Sequence, residues 1–298
     1  MSLAYLIQNT IDGLSLGSIY ALIAIGFSLT FSILRLINFA HGDILMIGAY
    51  CALFIVIGMQ LPLWAALILA MGFAALVGIF IERLAYRPLR GSNDVAALIT
   101  SLAVSIIIQN TGIMTVTAQP RKFEVPEVLS NIHNFGNISI SNMTLLIISL
   151  SLVLMIAFSL FVTHTKIGVA MRACSENIGV AQLMGIDINR VISTTFALGS
   201  AMAAVSGIML AGQYGRIEPL MGFVPGLKAF VAAVIGGIGS VSGAALGGYV
   251  LGLSEILLVA LLPPAYSGYR DAFVFIILIL VLLFKPSGIL GQAEGRKV

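Results

Sequence analysis

Residues 143–163 read MTLLIISLSLVLMIAFSLFVT, twenty-one positions without a charge. A helix of that length rises about 1.5 Å per residue and covers the roughly 30 Å hydrocarbon core of a bilayer. Its apolar residues run all the way round and do not alternate, so it reads as a helix in lipid and not as a barrel strand. Comparable stretches recur on both sides, at roughly 6–33, 44–57, 62–81, 95–117, 191–213, 226–238, 244–262 and 272–284. The expected fold is therefore all-α: a polytopic integral membrane helical bundle of about eight to nine spans. Composition agrees. Of 298 residues, 59% are hydrophobic and 9% charged, with mean hydropathy +1.09, whereas an ordinary soluble domain is about 25% charged. A soluble fold could not hide this much apolar surface, which excludes a soluble enzyme, a nucleic-acid binder and a disordered tail. The spans and their connections use the whole length, so 1–298 reads as a single transmembrane domain. No Lys or Arg precedes Arg35, so no cleavable signal is expected.

The cationic side chains orient the bundle, because Lys and Arg concentrate in cytoplasmic connections. Arg83, Arg87 and Arg90 cluster in 82–94, and Lys166, Arg172 and Arg190 in 164–190. Lys285, Arg296 and Lys297 lie near the C-terminus. Placing these inside with Arg35 leaves Arg121, Lys122, Arg216 and Arg270 outside, and Lys228 near a span end unassigned. Nine spans then run from an outer N-terminus to an inner C-terminus.

Two apolar segments are too short to cross alone. From Asp43 to Gly58 a helix reaches roughly 22 Å, and from Gly226 to Ile238 roughly 19 Å. Polar or helix-breaking sequence flanks each: Asn38-Phe39-Ala40-His41-Gly42-Asp43 in one case, Gly236-Gly237-Ile238-Gly239-Ser240-Val241-Ser242-Gly243 in the other. One break lies in each half of the chain. A matched pair of interrupted helices points to a translocation path between two related halves, lined by Asn38, His41, Gly42, Asp43, Gly236, Gly237 and Gly239. The alternative is a plain cytoplasmic loop at 34–43 and close helix packing at the glycine cluster. Gly13 with Gly17, Gly243 with Gly247, and Gly248 with Gly252 have the four-residue spacing that lets backbones approach closely in lipid.

Ionisable groups in the spans are costly, about 2.5–3.5 kcal/mol each at a helix centre. Glu255 is counted with the path residues and is expected to face the bundle interior, as a hydrogen-bonded packing residue or as part of a gate. Gln109 and Asn110 are expected to bond between helices, and Arg270 and Asp271 to pair locally at the outer surface. Cys51 and Cys174 carry no disulfide framework. No metal-ligand spacing occurs, so neither a metal nor a cofactor is expected.

The longest polar inner stretch is 164–190. Ser175 reads as an N-cap, Glu176 as a favourable charge at the positive helix end, and Ile178, Ala181 and Met184 as an apolar stripe. Gly185 reads as a left-handed stop. Such a helix either rests on lipid or docks a cytoplasmic protein.

The run Ala181-Gln182-Leu183-Met184-Gly185-Ile186 resembles the coupling loop of ABC importer permeases. Arg172-Ala173-Cys174-Ser175-Glu176-Asn177 resembles the version found in permeases for branched-chain amino acids. Residues 17–26, 37–43, 81–90, 236–243 and 285–291 match that family too. The periplasmic loop 118–142 is its least family-like part. The resemblance, to first-subunit permeases of high-affinity leucine/isoleucine/valine importers, implies inward movement of branched-chain or other small hydrophobic amino acids by alternating access. It implies Ser175, Glu176, Ala181 and Gly185 as the ATPase-coupling helix. It also implies a second homologous permease subunit, two cytoplasmic ATP-binding subunits, a periplasmic substrate-binding protein and a place in the cell inner membrane. No G-x-x-x-x-G-K-[ST] phosphate loop occurs in the sequence, so no catalytic residue is expected and the energy is expected from a partner, an ion gradient or the substrate's own gradient. The competing readings are a urea or short-amide permease of the same superfamily and a stand-alone secondary transporter or channel for small neutral solutes. An intramembrane enzyme would want a nucleophile–base pair or metal cluster in the spans, and none stands at convincing spacing.

Overall fold

The computed structural model describes residues 2–263, 268–285 and 287–291; Pro286, Arg296 and Lys297 lie outside them. Each apolar stretch forms a helix: α1 (Leu3–Leu34), α2 (His41–Gly58), α3 (Leu63–Ile81), α4 (Asp94–Val116), α6 (Asn142–His164), α9 (Ile188–Tyr214), α10 (Phe223–Gly236), α11 (Val241–Leu261) and α12 (Arg270–Phe284). Between α4 and α6 come the one-turn α5 (Glu127–Ser130) and a hairpin of β2 (Ile132–Phe135) with β3 (Ile138–Ser141). The two-residue β1 (Arg121–Lys122) pairs antiparallel with β4 (Arg216–Ile217). Between α6 and α9 lie α7 (Lys166–Glu176) and α8 (Ile178–Leu183).

Among the described residues, seven helices are long and apolar enough to cross a membrane, which makes the chain a polytopic membrane protein. The expected short reach of the segment from Asp43 is corrected, while that of the segment from Gly226 is seen. α2 begins at His41, two residues before Asp43, and its 18 residues rise about 27 Å, so it is a span in its own right. α10 has only 14 residues, about 21 Å, and is the short apolar helix the glycine cluster foretold. α12, with 15 residues, is nearly as short.

Helix starts follow local chemistry. Side-chain oxygens of Asn93, Thr165, Asp187 and Ser240 each accept from a backbone N–H in the first turn of α4, α7, α9 and α11. Sharp stops use left-handed backbone, as at Gly215 after α9, where φ is 67°.

The chain folds as two compact units that do not divide it at its midpoint. Unit 1 comprises 1–28, 126–156 and 228–298; unit 2 comprises 29–125 and 157–227. In unit 1 the small-residue spacing does what it implies. A Cβ on Gly17 would lie 3.0 Å from Tyr249 Cα, one on Gly252 would strike Gly17, and one on Gly13 would lie 3.1 Å from Leu253 Cα. α1 and α11 therefore touch backbone to backbone. In unit 2, α2, α3 and α9 pack the same way, with Gly48 against Ala204, Gly207 against Leu45 and Gly78 against Ser200. Leu53, Ala70, Ile208 and Ile217 belong to the apolar core around that packing. The outward faces of α3 and α4 stay apolar, exposing Trp64, Phe73, Leu76, Ile99 and Ile106, as helix faces turned to lipid do.

Candidate functional site

In unit 2, the first break is a short irregular connection between α1 and α2. Arg35 takes a left-handed φ of 55°, which a non-glycine residue adopts at a cost, and the helix stops there. Asn38, His41 and Asp43 are all buried, at 1–2% exposure. Tyr86 Oη donates to Asn38 Oδ1 at 2.6 Å. Gln109 Nε2, on α4, donates to Asp43 Oδ1 at 3.0 Å and to Ser105 Oγ at 3.1 Å. Gln109 thus bonds between helices as expected, whereas Asn110 bonds to the Ile106 carbonyl of its own helix. Gly42 has no room for a side chain: a Cβ there would strike the Gly222 carbonyl and lie 2.8 Å from Gly226 Cα. Irregular backbone in a membrane protein survives where protein satisfies it, and here the His41 and Asp43 N–H groups bond to the Asn38 and Ala40 carbonyls.

In unit 1, the second break joins α10 to α11. Gly237 and Gly239 take φ of 111° and 92°, conformations that only glycine holds without strain. Gly236 packs against the Gly243 carbonyl. Ser28 Oγ accepts from the Gly239 N–H at 3.0 Å. The segment 287–291 closes the end of α10. Ile289 and Leu290 donate their N–H groups to the carbonyls of Ile235 and Gly236, at 2.8 and 2.9 Å. These are orphan carbonyls of a helix C-terminus, and the family-like run from Lys285 to Gly291 is what satisfies them.

Glu255, itself buried, is the centre of an ionic cluster in unit 1. It accepts from Lys228 Nζ at 2.8 Å, Arg270 Nε at 2.6 Å and Tyr20 Oη at 3.0 Å. Lys228, 2% exposed, also pairs with Asp271 Oδ1 at 2.7 Å. The expected local pairing of Arg270 with Asp271 is therefore corrected: each reaches a different partner, because a buried Glu255 and a buried Lys228 need compensation more than a surface pair does. Lys228 was not legible as a site residue. Its signal was arithmetic: one cation in α10 and one carboxylate in α11, each too costly to stay unpaired in lipid.

At the connection 165–187 the structure moves the caps. Ser175 is not an N-cap; it lies in the last turn of α7 and its Oγ donates to the Arg172 carbonyl. Glu176 ends α7, at the negative end of that helix and not at a positive one. Asn177 caps α8 instead, accepting from the Val180 N–H at 3.0 Å. An Asn side chain suits a cap and competes with helical bonding, so it divides the run in two. Gly185 stops α8 as expected, with φ 82°. Its N–H bonds to the Gln182 carbonyl and that of Ile186 to the Ala181 carbonyl, the Schellman pattern. The apolar stripe also turns. Ala181 is buried, while Val180, Leu183 and Met184 are 55%, 87% and 78% exposed.

A further cluster was missed entirely. Glu82 has no exposed surface and accepts from Ser193 Oγ at 2.7 Å, Arg87 Nε at 3.4 Å and Arg90 Nη2. Arg87 and Arg90 read in the sequence as charges at the inner face and concealed this partner.

A family model described as branched-chain amino acid transport system / permease component matches residues 9–282. The chain belongs to that permease family. The high-affinity branched-chain amino acid transport system permease protein LivH of Escherichia coli (strain K12) is 42% identical over 99% of this chain and 98% of its own length. BraD of Pseudomonas aeruginosa is 41% identical over 98% of each. A probable branched-chain amino acid transport permease of Methanocaldococcus jannaschii is 30% identical over 92% of this chain and 89% of its own. Among solved structures, PsaBC from Streptococcus pneumoniae in complex with Fab covers 96% of this permease and 94% of that chain, at TM-score 0.50 and 13% identity. That likeness is one of fold alone. The permease is thus an integral membrane transport protein, and the two breaks, the ionic cluster and α7–α8 are features of its fold.

Proposed function

We propose that this permease is the transmembrane subunit of an ABC importer, taking branched-chain or other small hydrophobic amino acids inward by alternating access. The observation that carries the reading is near-complete coverage, at 41–42% identity, of relatives named for that transport. The whole of 1–298 acts as one permease domain in the cell inner membrane. Its N-terminus is periplasmic and its C-terminus cytoplasmic, because Arg83, Arg87, Arg90, Lys166, Arg172 and Arg190 then face the cytoplasm.

The energy comes from elsewhere, since the sequence carries no phosphate-binding loop. Two ATP-binding subunits supply it at α7–α8. Val180, Leu183 and Met184 offer them an apolar face on a helix closed at both ends, and Glu176 flanks that face. Ser175 sits beneath it, its carbonyl accepting from Arg35 Nη2 at 3.4 Å. Ala181 and Gly185 set the packing and the exit of α8. A second homologous permease completes the membrane part, and a periplasmic binding protein delivers substrate. The residues assigned to the path are Asn38, His41, Gly42, Asp43, Gly236, Gly237, Gly239 and Glu255. Few fixed charges along it suit a zwitterion with an apolar side chain.

The test is uptake by vesicles holding this permease with its companion subunits, offered radiolabelled leucine, isoleucine, valine, urea and short amides. ATP-dependent leucine accumulation supports the reading. Preference for urea or amides would reassign the substrate class.

A further inference from the structure

Glu82 opens a π-helical turn, Glu82–Tyr86, at the end of α3. The wider turn brings residues five apart into register: the Arg87 N–H bonds to the Glu82 carbonyl, and their side chains pair. Tyr86 is thereby turned inward, onto Asn38 Oδ1 and against the Phe196 ring at 5.3 Å. Arg90 bridges, one terminal nitrogen on Glu82 and the other on Asn189 Oδ1 at 2.6 Å. Glu82 also holds Ser193. Positions 189, 193 and 196, the first turns of α9, are all fastened to the stretch 82–90. That same stretch fastens Asn38 in the α1–α2 connection. Only four residues, Met184 to Asp187, separate α8 from α9, across the closed Schellman turn.

We propose that Glu82, Arg90 and Tyr86 are positioning residues that transmit displacement of α8 to the α1–α2 connection. This rests on the import reading above. A buried carboxylate with two cationic partners resists partial breakage, because losing one partner strands a charge. The network therefore shifts as a block. Movement of the α8–α9 corner reaches Ser193 and Asn189, passes through Glu82 and Arg90 into the π turn, and leaves through the Tyr86 hydroxyl to Asn38.

The experiment uses the full transporter in vesicles, with the ATP-binding subunits, the second permease and the binding protein. Radiolabelled leucine uptake and ATP hydrolysis are measured on the same preparation for wild type, Glu82→Gln, Arg90→Lys, Asn189→Ala and Tyr86→Phe. Arg90→Lys keeps the charge but cannot span Glu82 and Asn189 together; Asn189→Ala changes an exposed residue and leaves folding alone. The expected result is assembled complexes that still hydrolyse ATP while leucine moved per ATP falls about tenfold, the scale of a site-to-site coupling. Tyr86→Phe with Asn38→Ala should lose no more than either alone. Unchanged leucine per ATP, or uptake and hydrolysis falling together with the amount of complex, overturns the proposal. Should Glu82→Gln fail to assemble, Arg90→Lys and Asn189→Ala decide. A wild-type complex that hydrolyses ATP and accumulates no leucine defeats the import reading instead, so the two failures are distinguishable.

Discussion

Lys228 is the one cation in α10 and Glu255 the one carboxylate in α11, and they meet at 2.8 Å. Their pairing explains why two such residues persist among apolar neighbours: each is tolerable only because of the other. Lys228→Met should leave Glu255 with Arg270 and Asp271 without its cation, destabilising the folded permease by about 3–5 kcal/mol; thermal unfolding in detergent measures this. The swap Lys228→Glu with Glu255→Lys should not recover the loss, because it sets like charges against Asp271 and Arg270; full recovery would contradict this four-residue cluster. Cys174 gives a gentler check. It is 1% exposed, and burial pushes its thiol up from the ordinary range, so little reactive thiolate forms. It should react with a thiolate-directed alkylating reagent far more slowly in the folded permease than after denaturation, with mass spectrometry following the adduct. Rapid labelling in the native state would place α7 differently. At this scale the sequence showed which residues were anomalous, such as Glu255, His41 and Asp43, but not their partners. Partners such as Lys228 and Tyr20 lie 27 and 235 positions from Glu255, a separation no local pattern encodes.

The elements were largely legible, because a span is a local property of composition. All nine apolar stretches became helices, and the left-handed stop at Gly185 was foreseen from the residue alone. What failed was the start of α8: Ser175 and Asn177 are both good caps, and the choice turned on where α7 runs out. Asn177→Ala should therefore cost α8 about 1 kcal/mol, while Ser175→Ala should leave its helicity alone. Hydrogen exchange over 177–185 separates the two, and equal loss of protection in both would restore Ser175 as the cap. The contact of α1 with α11 carries its own prediction. Gly252→Val puts two methyl groups and a Cβ into the Gly17 backbone, and overpacking costs about 1–3 kcal/mol or more. The yield of folded permease should fall sharply, while Gly72→Ala, where no atom lies within 4 Å of the added Cβ, should be neutral.

Across the whole molecule, the class and family followed from composition and from motif blocks spread over the chain. The two compact units did not, since they interleave the ends of the sequence with its middle. Hydropathy records which segments enter lipid and is silent on which of them pack together. Each unit holds one break built on glycine, Gly42 in one and Gly236–Gly239 in the other, with neighbouring backbone filling the space a side chain would need. The proposed function assigns the exposed apolar face of α8 to a partner and makes transport depend on that partner's nucleotide cycle. The direct measurement is leucine accumulation by vesicles containing the permease pair and binding protein, with and without the ATP-binding subunits and ATP. Accumulation against a gradient should require both. Vesicles that concentrate leucine with this permease as their sole protein would contradict it.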